Sequence, residues 1–272
     1  ATIIDSSGQE IFDQKGMDTD TNPSIGAGGI YLVLLGDSIE NGVGDDSDDP
    51  LMGTQNDSVN EKNLNRGFGP ILNDLISNHL NVPVIFHNEG LGSTTSSQAI
   101  LDPVGPIADR LSTTLERHTK SIWLIGFGTN DSRGSVPLMP GETCTEAQLQ
   151  SDDPDCIGTF KYNIYKIVTT LLDAGKIPLL GKVPYIKNDS GTRNEIIQKY
   201  NMAIDDLSLN IFSLQAVPPN FYQYFFDNQD TDYFDSVHPN GKGYEAMAKM
   251  WFCAMVPQLL SGTQPAYCSD YQ

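Results

Sequence analysis

The chain has 272 residues, 39% of them hydrophobic, with 16 Lys+Arg against 35 Asp+Glu for a formal net charge of −19. That apolar content supplies a core and excludes global disorder. The acidic balance argues against nucleic acid and anionic lipid as partners, because both select a basic face. No apolar run approaches the roughly 20 residues that a membrane helix needs.

Residues 1 to 28 are polar and rich in Asp, Thr and Gly, and read as an N-terminal extension before a single domain over 29–272. The opening Ala1-Thr2-Ile3-Ile4 suits a mature chain after removal of a signal segment. The longest apolar run, Ile30 to Leu35, follows Gly28-Gly29 and reads as a central parallel strand buried on both faces. A long polar stretch over 40–67 comes next. Apolar residues at Phe68, Ile71, Leu72, Leu75, Ile76 and Leu80 then recur at helical spacing. Pro83 to His87 reads as a second strand and 107–118 as a helix.

Ser121 to Phe127 reads as a third strand, followed by a loop over about 132–158. Phe160 to Ala174 is an amphipathic helix with Gly175 as its C-terminal cap, and Ile177 to Val183 a fourth strand. Thr192 to Leu209 is a further helix, with Thr192 as N-cap and Glu195 three residues on. Residues 211–217 read as the fifth strand. Gly243 to Leu260 is the last helix, with Tyr244, Met247, Ala248, Trp251, Met255 and Leu259 on one face. Strands alternating with helices predict an α/β fold, a three-layer α/β/α sandwich around a parallel sheet of about five strands.

Four cysteines at local spacings suggest two disulfides, with Cys144–Cys156 and Cys253–Cys268 preferred because each closes a short segment. Four buried thiols are the alternative. Disulfides favour a secreted or periplasmic location. Asp18 to Asn22 and Asp45 to Asp49 resemble alternating calcium ligands, yet neither completes a binding loop, and solvated loops are the simpler reading. Asn56, Asn130 and Asn188 each begin an Asn-Asp-Ser sequon, relevant only to a eukaryotic secreted chain. His79 and His118 stand near helix ends as solvent-facing or capping residues, His87 reads as structural, and Trp123 and Trp251 read as core.

Ligands in open α/β sheets bind outside the carboxyl ends of the strands. Three predicted strands end there in polar clusters: Gly36-Asp37-Ser38, Asn88 to Thr95, and Gly128-Thr129-Asn130-Asp131. A fourth cluster, Asp235-Ser236-Val237-His238-Pro239-Asn240, lies near the end of the chain. A serine hydroxyl needs a base to take its proton, and a histidine base needs a carboxylate to hold its tautomer. Asp235 and His238 share a face if the segment is a helical turn, so Ser38, His238 and Asp235 can form a triad. Acyl transfer also needs donors for the developing oxyanion. The backbone N–H of Ser38, a backbone N–H of Gly92 or Ser93, and the Asn130 amide are the candidates. This chemistry calls for no cofactor and no metal.

These blocks, in this order, resemble those of the SGNH/GDSL hydrolases over about residues 30 to 260. The resemblance implies a flavodoxin-like fold, ester or thioester hydrolysis including acetylated sugars and lipids, and the roles just given to Ser38, Asn130, Asp235 and His238. Two positions depart from the pattern. The family's usual glycine falls on Ser93, so either Ser93 supplies its N–H or the register slips to Gly92. Glu40 stands where threonine is frequent. The signature G-x-S-x-G is missing, which sets the α/β-hydrolase fold aside.

The polar, Gly-rich loops at 40–67 and 132–158 are expected to line the pocket and favour short acyl groups, with a small-molecule or polysaccharide ester as substrate. A lipase, lysophospholipase or thioesterase is the alternative, with Tyr222, Tyr224, Phe225 and Phe226 as an apolar acyl site or else as core. A non-catalytic carbohydrate-binding domain on the same fold is the distant one. Oligomeric state is not legible.

Overall fold

A strand whose every residue is apolar must be covered on both faces. Ile30–Gly36 (β3) is such a strand, and all seven of its residues are buried. The computed structural model describes residues 30–45, 67–100, 110–118, 121–134, 143–189, 191–260 and 263–271, and the backbone of two short strands, Ile3–Ile4 (β1) and Glu10–Phe12 (β2), which pair antiparallel. β3 lies inside a four-stranded sheet with Val84–Asn88 (β4), Ile122–Gly126 (β5) and Ile177–Leu180 (β6), in the order β4-β3-β5-β6 and parallel throughout.

The two-residue period of a strand sorts its side chains onto two layers. Ile30, Leu32, Leu34, Ile122, Leu124 and Leu179 join a core with Phe68–Leu80 (α2) and Gly241–Met255 (α9). Val33, Leu35, Trp123, Ile125 and Leu180 join the opposite core with Phe160–Asp173 (α6) and Arg193–Asp205 (α7). The architecture is therefore the expected three-layer α/β/α sandwich. Trp123 and Trp251 are core, at 0% and 2% exposure. Gly175 terminates α6 at φ +73, its N–H donating to the Leu172 carbonyl.

Both expected disulfides are present. Cys144–Cys156 has its Cα atoms 6.1 Å apart, and Cys253–Cys268 has them 5.4 Å apart. No helix among the described residues is long and apolar enough to cross a membrane.

Three expectations need correction. The sheet has four strands among the described residues, not about five. Residues 211–217 form no strand: α7 runs on as a π-helical segment, Asp206–Ile211, then Phe212 N–H donates to the Leu207 carbonyl and Leu214 N–H to the Ser208 carbonyl. Local hydrogen bonding thus takes the place of the expected strand. Thr192 sits at the N-cap of α7 without a side-chain cap bond, and the Asp189 carboxylate takes the Asn194 N–H instead. His118 is buried at 4% exposure, not solvent-facing. Its Nε2 lies 3.1 Å from a Glu89 carboxylate oxygen, and its ring packs 4.3 Å from that of His87. Asp18 to Asn22, Asp46 to Asp49 and Asn56 lie outside the described residues. Asp45 is described, and its carboxylate accepts the Gly67 N–H at 2.7 Å.

Candidate active site

Ser38 follows β3 directly. Asp37 caps the four-residue helix Ser38–Asn41 (α1), its carboxylate accepting the Ile39 N–H at 2.9 Å, while Glu40 reaches back to the Asp37 N–H at 3.1 Å. This reciprocal capping box fixes the strand-to-helix turn and sets Ser38 at its outer edge. The Glu40 carboxylate lies flat against two strand ends, since a Cβ on Gly36 or Gly126 would come within 2.2 or 1.8 Å of it. The two glycines therefore accommodate the unusual Glu40. Glu40 is 6% exposed and works inside the turn, not in the cleft.

The second cluster is a loop tied to α1. The Asn88 side chain accepts the Gly90 N–H at 2.9 Å, and the Asn41 side chain donates to the Gly90 carbonyl at 3.1 Å. Leu91 N–H donates to the Gly36 carbonyl. The loop then turns through Ser93 at φ +64, in the left-handed region that disfavours side chains. Gly92 has no such backbone and is buried, whereas Ser93 is exposed.

The third cluster follows β5. The Asn130 amide donates to the Thr94 carbonyl at 3.0 Å and lies 3.4 Å from the Asp37 carboxylate, so one side chain bridges all three strand ends. Asp131 is fully buried and accepts from both the N–H and the hydroxyl of Ser96. Burial pushes its carboxyl above the ordinary carboxylate value, with the Ser96 bonds partly opposing. Asp131 thus moors the loop carrying Ser93 to the turn carrying Asn130.

The fourth cluster returns across the sheet edge. Asp235 and His238 do not sit on a helical turn. The segment is a bend held by the Asp235 carboxylate itself, whose Oδ1 accepts the N–H groups of Val237 at 2.6 Å and His238 at 2.7 Å. Oδ2 then meets His238 Nδ1 at 2.7 Å, and His238 Nε2 lies 3.0 Å from Ser38 Oγ across 200 residues of sequence. Burial alone would raise the Asp235 carboxyl, but the His238 ring and the two backbone donors outweigh it and hold it at about 2. The carboxylate stays ionised at any working pH and can stabilise an imidazolium.

The sequence-expected residues Ser38, Asp235 and His238 thus form one hydrogen-bonded line, and Ser93 and Asn130 line a cleft of about 420 Å³ that reaches Ser38 only through the Asn130–Asp37 contact. Gly92 does not reach that wall.

A family profile for GDSL-like Lipase/Acylhydrolase matches residues 32–251. The chain belongs to that family. It is accordingly a carboxylic ester hydrolase, and solved structures of esterases share its fold. An acetylxylan esterase from Geobacillus stearothermophilus, Axe2, aligns at TM-score 0.58 with 14% identity, covering 87% of this chain and 98% of its own. The lipase Lip_vut3 from a goat rumen metagenome aligns at TM-score 0.55 with 19% identity, covering 83% and 97%. The psychrotrophic esterase EstA from Pseudoalteromonas sp. aligns at 0.51 with 17% identity, covering 83% and 96%. No curated protein matches the sequence.

Two features of the site escape sequence reading. Gly44, at φ +90, presses on the returning loop, where a Cβ would meet the Pro239 carbonyl at 2.7 Å and His238 Cβ at 2.9 Å. Arg133 stands on the cleft wall. A glycine in a polar stretch and a single arginine carry no local signal of either role.

Proposed function

We propose that this esterase cleaves short-chain carboxylic esters, acetyl esters above all, carried on carbohydrate or a similar polar alcohol. The observation that carries the reading is the line Asp235–His238–Ser38 beside a cleft whose walls are polar: Ser93, Thr95, Ser97, Gln98, Asn130 and Arg133. Ser38 Oγ attacks the ester carbonyl as His238 Nε2 takes its proton. The negative charge that develops on the carbonyl oxygen is held by the Ser38 N–H, the Ser93 N–H and the Asn130 amide. His238 then protonates the leaving alcohol, and water repeats the sequence on the acyl-serine to free the acid.

Three facts support these roles. The Ser38 N–H opens a helix and has no acceptor among the described residues, as first-turn N–H groups do not. The Ser93 N–H likewise has none, and its positive φ supports Ser93 over Gly92 in the family's glycine position. Asn130 is locked in place by Thr94.

The longer-acyl reading, as lipase, lysophospholipase or thioesterase, draws on Phe226 and Phe234, which are 46% and 41% exposed. Phe225 offers nothing to it, being core at 0% exposure, and the Tyr224 hydroxyl is tied to Asp232. Tyr222 accepts from Gln198 and stacks edge-on with Tyr185. Two disulfides support a secreted or periplasmic setting. The test is the rate profile over 4-nitrophenyl esters from acetate to palmitate, with acetylated oligosaccharide alongside. A maximum at acetate with release of acetate from the saccharide is expected. A maximum at long chains overturns the short-chain assignment in favour of the lipase.

A further inference from the structure

The cleft that Ser93 and Asn130 share is lined by donors. The Arg133 guanidinium is exposed and makes no ion pair or hydrogen bond among the described residues. Gln98 commits its carbonyl oxygen to the Thr95 N–H at 3.0 Å and to the Thr95 hydroxyl, so its amide NH2 is left for a ligand. None of the six wall residues is acidic, in a chain with 35 acidic residues against 16 basic ones. The carboxylates behind the wall, Asp37 and Asp131, are buried and hydrogen-bonded.

A second guanidinium adds to the local positive charge. Arg193 donates to the Thr129 carbonyl at 2.8 Å and to the Ser132 hydroxyl at 3.2 Å, on the strand-end turn that carries Arg133. Burial first, and then the charge of Arg133, lower its proton affinity, while the Asp189 carboxylate partly opposes them. Asp189 thus offsets the charge of Arg193, and Arg133 is the cation that faces the cleft. A planar guanidinium with its donors free is the group that best fits a carboxylate.

We propose that Arg133 selects the substrate: the ester is carried by an acidic saccharide or similar carboxylate-bearing alcohol, with the carboxylate on Arg133 and the neighbouring hydroxyls on Gln98 and Ser97. This rests on the esterase reading of Ser38. An acetyl group is small, so a cleft of this size accommodates the alcohol part of the ester. The net charge repels anions at long range, so recognition is local and arises after encounter.

The experiment compares kcat/KM on monoacetylated methyl glucuronate and monoacetylated methyl glucoside, for wild type, Arg133→Gln and Arg133→Lys. Wild type should prefer the uronate by about tenfold, as one charge-assisted pair allows. The preference should appear in KM and shrink with added salt. Arg133→Gln should abolish it and Arg133→Lys keep part of it. The readout is a ratio of two substrates, which a general loss of folded protein leaves alone. Equal kcat/KM values in wild type, or a preference that survives Arg133→Gln, overturn the proposal. A second pair, 4-nitrophenyl hydrogen succinate against 4-nitrophenyl acetate, puts the carboxylate on the acyl side. Preference there alone overturns the acidic-alcohol assignment. Cleavage of neutral esters without discrimination sinks only the Arg133 proposal, whereas no cleavage of any ester sinks the esterase reading and this one with it.

Discussion

The Tyr244 hydroxyl donates to the Val43 carbonyl at 2.6 Å. This bond joins the first turn of α9 to the loop just after Ser38. It is one of the contacts that hold the two halves of the site together. Gly44 packs on His238 and Pro239, and Asn240 caps α9 by accepting the Gly243 N–H at 3.0 Å. The Ser38–His238 distance is thus set by a clamp built from residues 43–44 and 238–244.

Tyr244→Phe removes that bond while keeping the ring, which is fully buried. A loss of about 1 kcal/mol of stability is expected, read as a lower urea midpoint with an unchanged slope. The kcat should fall modestly with KM little altered. Gly44→Ala should cost more activity than Tyr244→Phe, because it both strains a positive φ and pushes on His238.

Ser93 separates a backbone role from a side-chain role. If its N–H is the donor, Ser93→Gly keeps activity and leaves stability within about 1 kcal/mol, since relief of the left-handed backbone offsets the added chain entropy. Ser93→Val should lose activity and about 1–3 kcal/mol, because a branched side chain resists that backbone. Thermal melting and kcat on 4-nitrophenyl acetate check both. A dead Ser93→Gly assigns the function to the hydroxyl.

Asp235 makes the site acid-labile. Its carboxyl is held at about 2 in the fold against an ordinary 3.8. A depressed acid contributes stability that is fully present above the ordinary value and is lost as pH falls toward the depressed one. Wild type should therefore lose stability relative to Asp235→Asn between about pH 4 and pH 2, measured as melting temperature across that range. At neutral pH Asp235→Asn should lower kcat by on the order of 10³ or more, with the imidazole in the wrong tautomer.

The Cys253–Cys268 bond ties the last turn of α9 to residues 263–271 and spans 15 residues. Replacing both cysteines with serine should cost about 3 kcal/mol, seen as an earlier denaturation midpoint. Ester hydrolysis at room temperature should survive, since neither cysteine touches the site.

Much of this arrangement was legible in the residues. The run Ile30 to Leu35 announced a strand covered on both faces, and the period of two within it determined which side chains meet α2 and α9. The polar clusters at the strand ends pointed to Ser38, Asn130, Asp235 and His238 because catalytic side chains of this kind need fixed, sharp turns. What escaped depends on contacts between distant segments. Residues 211–217 read as a strand, yet the Leu207 and Ser208 carbonyls accept the Phe212 and Leu214 N–H groups. The spacing of Asp235 and His238 suggested a helical turn, whereas the carboxylate of Asp235 builds its own. The choice between Gly92 and Ser93 depends on a backbone angle that residue spacing does not reveal. His118 does stand at a helix end, after Arg117, yet it is buried against Glu89 at the end of β4 and does not face solvent.

The most direct test of the central claim is the hydrolysis of 4-nitrophenyl acetate by wild type beside Ser38→Ala, with folding of both confirmed by circular dichroism. Ser38 is small and nearly buried, so the substitution leaves the fold intact. Removing the nucleophile should lower kcat by on the order of 10³-fold or more, and a fluorophosphonate should label wild type alone. A Ser38→Ala protein that hydrolyses the ester at the wild-type rate would contradict the assignment of Ser38, and with it the roles given to His238 and Asp235.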